Sequence, residues 1–130
     1  MSGSSLQSTE NDKQLKALLR ELNSISEHIE ASAIMSRDGL SVASVLGDGV
    51  DPDRLGAMCA ALLGLADTTA RELNRGKLRQ VLIHGSIGYM LISHVGEKAV
   101  LAVAAKPDTN LGMVFIETRK TAEKIAKLIE

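Results

Sequence analysis

A handful of side chains in this sequence could carry chemistry, and their spacing decides what each can do. His84 and His94 fall on neighbouring predicted strands, a placement that invites a metal site. A short loop between those strands fixes their pairing parity, which puts the two imidazoles on opposite faces of a sheet. His28 stands near the end of the first predicted helix with no ligand partner at a recognisable spacing. A single cysteine, Cys59, leaves neither an internal disulfide nor a zinc pattern. On an apolar helix face its thiol behaves as a small hydrophobe. Gly76-Lys77 is followed by Leu78 where a phosphate-cradling loop needs Ser or Thr, and Arg71 stands where that loop needs its first glycine. Gly85-Ser86-Ile87-Gly88 lacks the Gly-x-Ser-x-Gly pattern of a nucleophile elbow and reads as a hairpin turn. The acidic residues are scattered over caps and helix surfaces without an acid–base pair. The expectation is a protein that is not an enzyme and needs no metal or cofactor.

The elements that hold these residues are more informative than the residues. Asp51 to Gly76 reads as one helix, with Asp51 as its cap, Pro52 at the first helical position and Gly76 at the left-handed C-terminal position. At about 100° per residue, one face collects Leu55, Met58, Cys59, Leu62, Ala66, Thr69 and Leu73, the expected core stripe. The other collects Ala57, Ala60, Ala61, Gly64 and Thr68, where an ordinary surface helix carries Lys and Glu. Small uncharged residues let a second backbone come close. Gly64 in mid-helix costs roughly 1 kcal/mol relative to Ala, a cost that makes sense if something packs against it. The helix is therefore expected to be buried twice, by its own sheet and by its twin in a two-fold dimer.

Before it, Leu15, Leu18, Leu19, Leu22 and Ile25 form an amphipathic stripe in a helix starting at Thr9 or Asn11. Residues 1–10 are expected to be a disordered tail, without the basic start and apolar core of a signal peptide, and residues 11–130 one domain. Ala33–Arg37 and Leu40–Leu46 are strand-like runs joined by Asp38-Gly39, a hairpin signal. After the helix come Leu78–His84, Tyr89–Val95 and Ala99–Ala105. The last, AVLAVAA, is apolar without alternation, so both its faces must be covered. Thr109 or Asn110 opens a final helix striped by Leu111, Val114, Phe115, Thr118, Ala122, Ile125 and Ile129. This order predicts an α+β, three-layer α/β/α sandwich, with the central helix on one face of an antiparallel sheet and the terminal helices on the other.

Composition narrows the function. A chain of 130 residues supports one core. A net charge of −1 and 2% aromatics argue against nucleic acid. No apolar run reaches the roughly 20 residues that span a bilayer, so no direct membrane insertion and a cytoplasmic location are expected.

Three passages, taken in order, resemble the Roadblock family of dynein light-chain-like domains. They are Ala33-Ile34-Met35-Ser36-Arg37-Asp38-Gly39-Leu40, the central helix with its small outer face, and Asn110-Leu111-Gly112-Met113. The resemblance covers residues 14–129. It implies a profilin-like fold with a five-stranded sheet of order 2-1-5-4-3. It also implies a homodimer, or a heterodimer with a related domain, built on the central helices and third strands. On that basis Ala57, Ala60, Ala61, Gly64, Thr68, Leu78, Gln80 and Leu82 are the expected dimer interface. The family further implies an adaptor that binds and regulates a small Ras-like GTPase, or else a structural scaffold or motor-complex subunit without such a partner. Asp53, Arg54, Leu65 and Arg71, on the ends and flanks of the helix, are the candidate GTPase contacts. No arginine is singled out for a role in hydrolysis.

Overall fold

The strand AVLAVAA sits where its composition demands, in the middle of the sheet. The computed structural model describes the backbone of residues 2–129 and side chains from Asn11 to Ile129. In order the elements are α1 (Ser2–Ile25), β1 (Ile29–Ser36), β2 (Ser41–Val45), α2 (Pro52–Glu72), β3 (Gln80–His84), β4 (Tyr89–Val95), β5 (Ala99–Ala105) and α3 (Leu111–Ile129). The tail expected over residues 1–10 lies outside the residues whose side chains are described. The sheet order is β2-β1-β5-β4-β3, every neighbouring pair antiparallel, as the resemblance implied.

Short turns fix the registers. Gly39 takes φ 91°, and its N–H donates to the Ser36 carbonyl at 3.0 Å, closing the β1–β2 hairpin at Asp38-Gly39. Gly85 N–H donates to the Gly88 carbonyl at 2.8 Å, so Gly85–Gly88 is the expected β3–β4 turn. Asp51 Oδ1 accepts from Asp53 N–H at 3.0 Å and Asn110 Oδ1 from Met113 N–H at 3.2 Å, capping α2 and α3.

Alternation along the strands builds two cores. Ile34, Leu91, Leu101 and Val103 meet Leu15, Leu19 and Leu22 of α1 and Val114 and Ile125 of α3. Ala33, Met35, Ile92, Val100 and Ala102 face the other way and meet Leu55, Cys59 and Leu63 of α2. Each fully buried Leu or Ile contributes about 1.5–3 kcal/mol relative to exposure.

Several boundaries differ from expectation: the α1 backbone begins at Ser2 rather than at Thr9 or Asn11, and β2 is Ser41–Val45 rather than Leu40–Leu46. β1 begins at Ile29, earlier than Ala33, because Ala31 and Ser32 already pair with β5. β3 begins at Gln80, so Leu78 precedes the strand and is half-buried against the α2 core. α2 ends at Glu72 with Leu73 as cap; Asn74, φ 54°, takes the first left-handed position, and Gly76, φ 89°, serves the following turn.

The larger difference is the rotation of α2. Met58 is 56% exposed and Leu73 61%, and Thr69 is also exposed, although all three were expected to face the sheet. Leu55 and Cys59 are buried as expected, joined by Gly56 and Leu63, which the stripe left out. Gly56 sets this rotation: a Cβ there would collide with the Gly39 carbonyl, so helix and hairpin turn meet backbone to backbone. Ala60, expected to point outward, is turned to the same contact and half-buried beside Gly39.

Candidate functional site

With Leu55, Cys59 and Leu63 fixed against the sheet, helical geometry dictates what α2 presents to the outside. Ala57, Ala61, Gly64 and Thr68 are exposed, as the spacing predicts. A Cβ built on Gly64 meets nothing within 4 Å. Thr68 turns its hydroxyl back to the Gly64 carbonyl at 3.2 Å, and Thr69 does the same to Leu65 at 2.9 Å, so both present methyl groups rather than free donors. Met58 and Leu65, seven residues apart, line one side of this strip and are 56% and 68% exposed. The outer face is thus a small-residue floor edged by two large apolar side chains.

The same apolar character continues on the open edge of the sheet. β3 pairs with β4 alone, and its register, Gln80↔Ser93 to His84↔Tyr89, runs without a shift. Val81 packs into the α2 core, so Ile83, two residues on, lies on that face and is 42% exposed. Gln80 and Leu82 point to the opposite face, and both are exposed.

An ionic cluster braces α2 against the sheet. Asp67 lies 3.8 Å from Arg37 and 3.6 Å from His94. His94 is thereby committed to the α2 face while His84 stacks on Tyr89 on the other, at a centroid distance of 4.4 Å. The histidines diverge as parity requires. No group of three potential metal ligands occurs among the described residues. Burial pushes the Cys59 thiol above its ordinary range, which suits a core residue and disfavours a nucleophile.

The four candidate partner contacts do not gather. Asp53 and Arg54 are exposed on the first turn of α2 and Arg71 on the last, roughly 25 Å away at 1.5 Å per residue. Arg71 lines a shallow cleft of about 360 Å³ with Arg37, Asp67 and Lys77. Leu65 sits between them along the helix, on the flank of the small-residue strip. Sequence reasoning missed Met58 and Ile83 as surface residues and the Gly39–Gly56 contact. Only the pairing of two distant glycines hinted at the last.

The Roadblock/LC7 domain model matches residues 15–105. An uncharacterised protein of Methanocaldococcus jannaschii, MJ1340, is 40% identical over 108 residues, covering 83% of this chain and 93% of that protein. Among solved structures, Myxococcus xanthus MglB superposes with a TM-score of 0.82 at 17% identity, over 88% of this chain and 94% of that one. A second MglB structure, with a tetrameric arrangement, superposes with a TM-score of 0.81 at 17% identity, over 91% and 89%. Profilin IB of Acanthamoeba castellanii superposes with a TM-score of 0.64 at 16% identity, over 86% and 96%, which makes the fold profilin-like. No described helix is long and apolar enough to cross a membrane.

Proposed function

The chain belongs to the Roadblock/LC7 family, and from that premise we propose that it is a noncatalytic, dimeric adaptor that binds a small Ras-like GTPase and modulates its nucleotide cycle. The observation that carries this reading is the outer strip of α2. Ala57, Ala61, Gly64 and Thr68 form a floor that admits a second helix at short range, with Met58 and Leu65 as an apolar rim along one side. A helix pair on this strip, continued by β3 beside its twin, buries the surface that a lone chain leaves in water. The paired helices then present Arg54, Asp53 and Arg71 twice, related by the two-fold axis. These duplicated charged ends are the proposed GTPase contact.

Gly64→Glu tests both parts. It places a carboxylate on the floor of the seam and is expected to convert a dimer to monomers in sedimentation, with the circular dichroism spectrum retained. Pull-down and GTP-hydrolysis assays against the small GTPases of the source organism test the partner. Binding in one nucleotide state, lost in the monomeric variant, supports the regulator. A dimer that captures no GTPase in either state favours the scaffold reading instead.

A further inference from the structure

On the sheet face opposite α2, a groove of about 880 Å³ runs between α3 and the start of β3. Its wall is Phe115 and Arg119 of α3, its floor is the register pair Gln80 and Ser93, and its mouth carries Lys77 and Arg79. Lys77 has one distant acidic neighbour, Glu97, at 3.9 Å. Neither Arg79 nor Arg119 has an acidic residue within ion-pair distance among the described residues. In a chain of net charge −1 this cleft thus gathers three cations, one of them paired with Glu97. Ser93, 8% exposed, lines this groove. A serine hydroxyl both donates and accepts, so the floor offers a polar group that a ligand can use.

We propose that this groove binds an acidic peptide segment of a partner protein, its carboxylates reaching Arg79, Arg119 and Lys77 and its backbone or side chains reaching Ser93 and Gln80. Charge complementarity selects the sign of the ligand. The openness of the cleft selects its size. An extended chain can place several carboxylates along the cations and lay an apolar side chain on Phe115. With no aromatic residue but Phe115 at the groove, there is no platform on which successive bases could stack.

The test uses the full-length protein and a fluorescein-labelled peptide of alternating Glu and Leu, followed by anisotropy. The expected result is saturable binding that weakens as salt rises and falls about tenfold or more in the double variant Arg79→Glu/Arg119→Glu. A Gln-Leu peptide is expected to bind at least tenfold more weakly than the Glu-Leu one. Both substituted positions are exposed; Arg79 stands beside the β3 edge, so Arg119→Glu alone, on α3, is the variant expected to weaken peptide binding with assembly unchanged in sedimentation. Gly64→Glu, conversely, is expected to keep peptide binding, so failure at the α2 seam and failure here are distinguishable. Equal binding of the Gln-Leu peptide, or no effect of the double variant, overturns the proposal. So does displacement of the peptide by inorganic phosphate or by oligo-dT.

Discussion

Two glycines eight positions apart on α2, Gly56 and Gly64, should respond to the same added methyl group in opposite ways, for reasons visible in the structure. Gly64→Ala puts the methyl into open space in the isolated chain. There the only effect is helix propensity, a gain of about 1 kcal/mol and a rise in Tm of about 4 °C for a domain of this size. In a two-fold helix pair the same methyl enters the seam from both sides. Overpacking costs about 1–3 kcal/mol per site, hence about 2–6 kcal/mol per dimer, or a dissociation constant weakened roughly 30-fold or more. Gly56→Ala drives its methyl into the Gly39 backbone carbonyl, which cannot rotate away. It should lose about 1–3 kcal/mol at every protein concentration. Urea unfolding at two concentrations about a hundredfold apart, with sedimentation alongside, separates these outcomes. Gly64→Ala should be stabilising in dilute solution and destabilising in concentrated solution. A gain independent of concentration, with assembly unchanged, would refute the seam.

Three further outcomes follow from the core and its braces. Asp67→Asn removes the carboxylate facing both Arg37 and His94 and should lower stability by about 1 kcal/mol in urea titration, since the carboxylate is partly exposed. Cys59 should resist iodoacetamide in the native state and react once urea unfolds the chain, because burial raises its thiol pKa. The same shift sets a pH dependence. The contribution is fully present below the unfolded thiol pKa of about 8.5 and is lost as pH rises towards the raised native value. The urea midpoint should therefore fall between neutral and strongly alkaline pH by more than in Cys59→Ala.

The sequence made some elements plain and concealed others for physical reasons. Ala99–Ala105 was legible because a run without alternation requires cover on both faces, and Asp38-Gly39 because the tight turn between Ser36 and Leu40 needs a positive φ, which glycine supplies. The rotation of α2 was not legible. A helix with apolar groups on both faces carries two overlapping stripes, and periodicity cannot say which faces the sheet. Met58 and Leu73 were assigned to the core on that ground, while the phase is set by Gly56 against Gly39, a contact between residues distant in sequence. Leu78 was read into the third strand because it continues an apolar run, yet ladder pairing starts two residues later and leaves Leu78 to seal the α2 core. Of the proposed interface, Ala57, Ala61, Gly64, Thr68, Gln80 and Leu82 are exposed, whereas Ala60 and Leu78 are half-buried within their own chain. The groove beside α3 escaped sequence reading because its cations come from two separate stretches.

The sheet has two free edges, and the structure gives a reason why one rather than the other should pair with a second copy. β2 carries a bulge: Ile34 pairs with Ala43 and Met35 with Ser41, so Val42 faces no β1 residue. Bulges twist an edge away from flat pairing. β3 has neither a register shift nor a charged residue or proline in Gln80–His84, and so lacks the usual protections of an exposed edge. An antiparallel β3 pair centred on its middle residue sets Leu82 opposite its own twin, where like charges repel directly. Leu82→Glu should therefore weaken self-association at neutral pH by about tenfold and do so less below the carboxylate pKa of about 4.3. Val42→Glu, equally a charge on an edge strand, should leave sedimentation unchanged. If Val42→Glu separates the copies and Leu82→Glu does not, β2 is the joining edge, and the α2 strip must meet something other than its twin.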